Sequence, residues 1–233
     1  MRLDKFLCEV NTGTRSQVKE FLKKGQVTVN SAVVKNADFK VNENTDEIYF
    51  QGKRLCYQHF VYYMLNKPGG VVSATRDNTS GTVVELLREE DRRKDIFPVG
   101  RLDKDTEGFL LLTNDGELTH RLLTPKKHVD KTYLVTLERE ATDEELLRLD
   151  QGVDIGEEKP TLPGKAERAG DRKILLTIHE GKFHQVKRMF QAVGNRVIAL
   201  KRVSFGGLEL DDSLNPGEYR ELTEDEVRIL HDA

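Results

Sequence analysis

The sequence predicts an α+β protein in two parts: a small N-terminal α/β module, then a larger domain built on a largely antiparallel mixed sheet. Three observations predict this. Helical and strand-like segments follow one another without a regular βαβ rhythm. All six prolines lie at or beyond Pro68, which sets a boundary near residues 57–61. Thr14/Gln17, Thr142/Glu145 and Thr223/Glu226 form capping boxes that start helices on both sides of that boundary. The domains are read as residues 1–58 and 59–233.

Leu3, Phe6, Leu7 and Val10 recur at helical spacing. A second helix starts after Thr14, buries Val18, Phe21 and Leu22, and ends at Gly25. Val27 to Val29 and Glu47 to Phe50 read as short strands, as does Phe60 to Leu65. Residues 66–70, Asn-Lys-Pro-Gly-Gly, read as a turn. Lys131 to Leu137 alternates with period two and puts Tyr133, Val135 and Leu137 on one face. The helix after Thr142 carries Leu146, Leu147 and Leu149. Ile174 to Ile178 is a buried strand. Val186, Met189, Phe190 and Val193 form one helical face, with His184, Lys187, Arg188 and Gln191 opposite.

Composition excludes several classes. Apolar residues make up 37% and charged residues 33% of 233, a globular balance. No apolar run approaches the ~18 residues a membrane helix needs. The first residues lack a signal-peptide core, and Cys8 and Cys56 are too few for a disulfide framework or zinc site, which predicts a cytoplasmic protein. No dinucleotide fingerprint, phosphate-cradling loop or metal cluster is present, so no cofactor and no metal are expected. The net charge is −3, but residues 1–60 hold ten Lys/Arg against seven Asp/Glu. Residues 181–208 contain Lys182, Lys187, Arg188, Arg196, Lys201 and Arg202 and no acid. Such a local field can hold phosphates on a mildly acidic molecule.

Residues 100–116 read GRLDKDTEGFLLLTNDG. A charged, turn-rich run feeds an apolar strand and then an Asn-Asp-Gly turn, so Asp103 sits at the mouth of a buried strand. Asp103, Asp105 and Glu107 imitate half of a calcium loop, but the twelfth position is Asn114 and the second half is apolar, so that reading fails. The segment resembles the active-site motif of RNA pseudouridine synthases. That resemblance implies an essential catalytic Asp103, and it implies that Arg101 fills the space left by an extruded nucleotide. Lys131-Thr132-Tyr133 is similar to the family's K-x-Y strand and places Tyr133 beside the substrate base. Residues 180–190, EGKFHQVKRMF, are similar to its third motif and pair Lys187 with Asp103. Many relatives have Arg there, and Lys supplies the charge without the bidentate fork.

Residues 1–57 resemble an S4-type RNA-binding domain, through Arg-Leu-Asp-Lys-Phe-Leu, Thr-Arg-Ser-Gln and Gly-Gln-Val-Thr-Val-Asn. Arg2, Lys5, Arg15, Lys19, Lys23 and Lys24 would line its polar side. In the second domain Lys182, Arg188, Arg196, Lys201 and Arg202 would bind phosphates, with His184 as an RNA contact. The whole chain resembles the small-subunit (RsuA-type) branch. That branch implies isomerisation of one 16S rRNA uridine, usually U516, in a partly assembled small ribosomal particle, by an enzyme taken as a monomer with no membrane contact. The alternatives are a large-subunit (23S rRNA) synthase, a non-catalytic rRNA-binding assembly protein, and a glycosidase using Asp103 and Glu107. The assembly protein has no need of the Asp103, Tyr133 and Lys187 set. The glycosidase has no account of the basic segment from Lys182 to Arg202.

Overall fold

Each capping box begins a helix. The Thr14, Thr142 and Thr223 side chains accept from the backbone N–H three residues on, and Gln17, Glu145 and Glu226 reach back to the cap N–H. A computed structural model describes residues 1–93, 95–124 and 129–233. They fall into two compact units, Met1–Phe60 with Arg88–Lys94, and Val61–Leu87 with Asp95–Ala233. The cut lies two residues beyond the expected one. The return of the chain at 88–94 had no signal in the sequence. Asn11 Nδ2 donates to Glu90 O at 2.9 Å and Arg93 Nη1 to Gln58 O at 2.6 Å within that first unit.

The first unit has helices α1 (Leu3–Glu9) and α2 (Arg15–Lys23), and strands β1 (Val27–Val29), β2 (Ala32–Val33), β3 (Ile48–Phe50) and β4 (Lys53–Leu55). The strands form an antiparallel sheet in the order β2-β1-β3-β4. Leu3, Phe6, Leu7, Val18, Leu22 and Ile48 meet in its core, the helical spacing having set which faces turn inward.

The second unit begins with β5 (Tyr62–Lys67), β6 (Phe97–Pro98), β7 (Glu107–Thr113), α3 (Gly116–Leu123) and β8 (Lys131–Leu137). It continues with α4 (Asp143–Gln151), β9 (Lys165–Arg168), β10 (Lys173–Ile178) and α5 (Gln185–Ala192). Last come β11 (Val197–Phe205), β12 (Leu208–Glu209), β13 (Tyr219–Glu221) and α6 (Glu224–Asp232). The sheet runs β13-β5-β7-β11-β8-β10-β9, with β12 on β11 and β6 on β7. The β7–β11 pair is parallel and the other strand pairs are antiparallel.

Core lies on both faces. Leu110 and Leu112 pack with Met189 and Phe190 of α5, while Phe109 and Leu111 pack with Leu118 and Leu122 of α3. That explains the unbroken apolar run in β7, since a strand covered on both sides has no polar face. Gly108 sits at the parallel seam with φ +98°, where a β-carbon would come 2.2 Å from Arg202 O. Only glycine allows that approach.

Two local expectations change. Asn114-Asp115-Gly116 is not a free turn, because Asp115 accepts from Leu118 N at 2.9 Å and N-caps α3. Residues 66–67 continue β5 rather than open a turn. On α4, Leu149 is the leucine turned fully into the core, and Leu147 is 57% exposed. Among the described residues no helix is long and apolar enough to cross a membrane.

Candidate active site

Asp103 lies in the stretch that leads into β7, and that stretch is fastened through its backbone. Ser73 Oγ donates to Leu102 O at 2.9 Å and accepts from Leu102 N at 3.0 Å. Lys67 is wholly buried and donates through Nζ to Pro68 O, Lys104 O and Thr106 O at 3.0, 3.2 and 2.8 Å. Gly70 N donates to Lys104 O at 2.7 Å, and Thr106 N donates to Asp103 O at 3.1 Å. An ammonium taken out of water needs such acceptors. Burial pulls the Lys67 pKa down to about 8, and the charges of Asp105, Asp103 and Glu107 push against that fall.

Lys187 reaches this stretch from α5. Its Nζ stands 2.6 Å from Asp105 Oδ1 and 3.2 Å from Asp103 Oδ2. Burial works against the ammonium, but its bonds to Asp105 and Asp103 win, and its pKa lies above the usual value. The Lys187 bond in turn holds Asp105 below the ordinary carboxylate range. His184, in the left-handed region (φ 48°) just before α5, places Nε2 3.5 Å from Asp103 Oδ1. A cavity of about 80 Å³ opens here, lined by Arg101, Asp103, Thr106, Tyr133, Lys182 and His184 among others. Tyr133 comes from the middle of β8 and is 8% exposed. Arg101 is exposed at the cavity, and Asp105 is engaged by Lys187 rather than by Arg101.

The model of the RNA pseudouridylate synthase family matches residues 61–192, and the S4 domain model matches residues 1–47. The chain belongs to the RNA pseudouridylate synthase family. It is 50% identical to a Bacillus subtilis protein described as an uncharacterised RNA pseudouridine synthase, over 100% of this chain and 99% of that one. It is 44% identical to the ribosomal small subunit pseudouridine synthase A of Vibrio cholerae, over 99% of both. The Escherichia coli protein of the same name is also 44% identical, over 97% of this chain and 98% of that one. A crystal structure of a pseudouridylate synthase superposes with a TM-score of 0.70 at 40% identity, covering 99% of each chain. The protein is therefore an RNA pseudouridine synthase, an isomerase with an S4 domain ahead of its synthase domain.

The synthase motifs bring Asp103 and Tyr133 to one cavity and Lys187 to Asp103, but the basic residues divide. Arg202 corrects the expectation of a phosphate contact. It is 2% exposed, its Nε donates to Phe109 O at 2.8 Å, and its guanidinium lies 4.8 Å from the Phe205 ring centre. It belongs to the core because β11 runs through the middle of the sheet. Arg188 is also engaged inside the fold, through Glu157 Oε1 at 2.7 Å, Phe183 O at 2.9 Å and Ile155 O. Lys182 donates to Lys159 O at 2.9 Å and Pro160 O at 3.1 Å. Arg196 stays largely exposed, 3.6 Å from Glu138, and Lys201 is half-buried.

In the first unit Arg2 pairs with Asp4 at 2.7 Å and Asp38 at 2.5 Å, and Lys5 with Glu9 at 3.4 Å. Arg15, Lys19 and Lys23 are exposed on α2. Sequence reasoning missed the clamps Lys67 and Ser73 and the partner Asp105. Lys67 lay in a segment read as a turn, and nothing marked Ser73.

Proposed function

We propose that this synthase converts one uridine of 16S rRNA, U516, to pseudouridine, with the Asp103 carboxylate as the essential group. The Vibrio cholerae and Escherichia coli relatives named ribosomal small subunit pseudouridine synthase A support the small-subunit substrate. The residue assignment rests on one observation: the Asp103 carboxylate stands 3.2 Å from a lysine ammonium, in a cavity it shares with Tyr133.

The reaction breaks the N1–C1′ bond, turns the uracil and joins C5 to C1′. The proton lost from C5 is matched by one gained at N1, so atoms balance without a co-reactant. Asp103 works at the ribose, either by attack on C1′ or by taking the C2′ proton. Lys187 holds the carboxylate in place, and the backbone clamps at Leu102, Lys104 and Thr106 fix the segment that presents it. The Tyr133 ring packs against the uracil and assists removal of the C5 proton. Arg101 occupies the gap left in the RNA when the uridine is flipped out, a movement that costs a few kcal/mol. Cations of the S4 domain add a second grip that raises effective concentration. The substrate is a partly assembled small particle in the cytoplasm, and the enzyme works as a monomer.

Pseudouridine mapping in 16S and 23S rRNA, from cells with and without the gene, tests the target. Loss of the U516 signal alone is the expected result. Loss at a 23S position instead reassigns the substrate, and no loss at any site overturns the proposal. Restoring the gene as Asp103→Asn should leave the site unmodified, with turnover in vitro down by roughly 10²–10⁴-fold or more and RNA binding kept.

A further inference from the structure

Phe183 is 72% exposed, more than any other exposed large apolar side chain among the described residues. Its ring lies flat against the His184 imidazole, with centroids 3.8 Å apart and planes 21° apart. His184 lines the cavity and stands 3.5 Å from Asp103, whereas Phe183 lies outside the lining. The two rings thus form a layer that starts at the cavity wall and ends in solvent.

This exposure is built into a braced loop. Arg188 Nη1 donates to Phe183 O at 2.9 Å, and Lys182 N donates to Gln185 Oε1 at 2.8 Å. Gln185 Nε2 donates to Glu180 Oε1 at 2.8 Å. His184 holds a left-handed backbone conformation (φ 48°), uncommon outside glycine. A fixed aromatic face turned to water, one ring-thickness outside a nucleotide cavity, has the form of the stacking surfaces that hold unpaired bases.

We infer that Phe183, layered on His184, is a stacking platform for the base of a nucleotide flanking the extruded uridine. The target uracil enters the cavity and meets His184 and Tyr133, so the outer ring is left for a neighbour whose own stack is broken by the extrusion. The inference rests on the proposed uridine isomerisation, and it assigns Phe183 to binding and positioning rather than to chemistry.

The chain contains no tryptophan, so Phe183→Trp introduces a single reporter indole. The experiment titrates F183W, in an Asp103→Asn background, with unmodified 16S rRNA transcript, and reads indole emission beside filter binding. Leu147→Trp in the same background, at an exposed position of α4, controls for non-specific quenching. We expect emission to fall on binding for F183W and not for L147W. Phe183→Ala and Phe183→Leu should both weaken binding by roughly 5–150-fold, the span of base–aromatic stacking. Phe183→Tyr should restore it. In turnover the two weakened variants should show raised KM with kcat little changed.

Unchanged emission of F183W while filter binding reports complex overturns the platform, as does wild-type affinity in F183L. Failure of the reading beneath it has a separate signature: wild-type enzyme leaves no pseudouridine in either rRNA.

Discussion

The cations of the two units are of different kinds. Arg15, Lys19 and Lys23 stand exposed on a short surface helix. Lys67 and Arg202 are buried in the larger unit, where the Lys67 ammonium and the Arg202 Nε donate to backbone carbonyls. The difference teaches that a count of basic residues along a chain does not measure the charge offered to RNA. A cation on the outer face of a surface helix keeps its donors for a partner. A cation on a strand that crosses a two-sided core is taken up by the fold.

Three substitutions break or sharpen this contrast, taken from the largest expected cost in stability to the smallest. Arg202→Ala leaves a space beside Phe205 and a carbonyl at Phe109 without its donor. It should cost about 2–4 kcal/mol in urea unfolding and leave the salt dependence of RNA binding as it was. A reduced salt slope with unchanged stability would return Arg202 to the RNA-binding surface.

Lys67→Met should cost about 1–3 kcal/mol at neutral pH by stranding the carbonyls that hold the Asp103 segment. Its pH dependence has a definite sign. The folded pKa lies at about 8, below the ordinary 10.5. Between those values the unfolded chain binds more protons, so the contribution of this group to stability rises with pH across that window and is flat below it. The stability gap between wild type and Lys67→Met should therefore widen from pH 8 to pH 10. A constant gap would mean that the lysine is not buried as described.

The triple change of Arg15, Lys19 and Lys23 to Ala is the converse. Stability should move by less than about 0.5 kcal/mol. The slope of log affinity against log salt should fall by about 2–3, one phosphate per residue. An unaltered slope would show that α2 does not face RNA.

Much of the fold could be read from local pattern. The alternation in Lys131–Leu137 gave β8 to the residue, and the three capping boxes gave their helices. What failed to show depended on distant partners. Val197–Phe205 reads as a basic surface because Lys201 and Arg202 interrupt its apolar positions, and only β7 and β8 on either side make it a central strand. Asp115 looked like a turn residue because an N-cap and a turn use the same side chain for the same local bond.

At the site, Asp103, Tyr133 and Lys187 stood out through long motifs. Ser73 is 29 positions from the Leu102 backbone it clamps, and no local pattern reports such a bond. The Asp105 bond to Lys187 spans 82 positions, so a carboxylate visible in the motif did not reveal its partner.

The position of Lys187 between two carboxylates has one more consequence. An ammonium carries three donors that swivel freely, with no flat fork to align. With Asp105 gripping one donor at 2.6 Å, the cation is anchored independently of its contact with the Asp103 carboxylate. The arrangement works as a tether with slack, and its looser arm, 3.2 Å long, is the one that reaches Asp103.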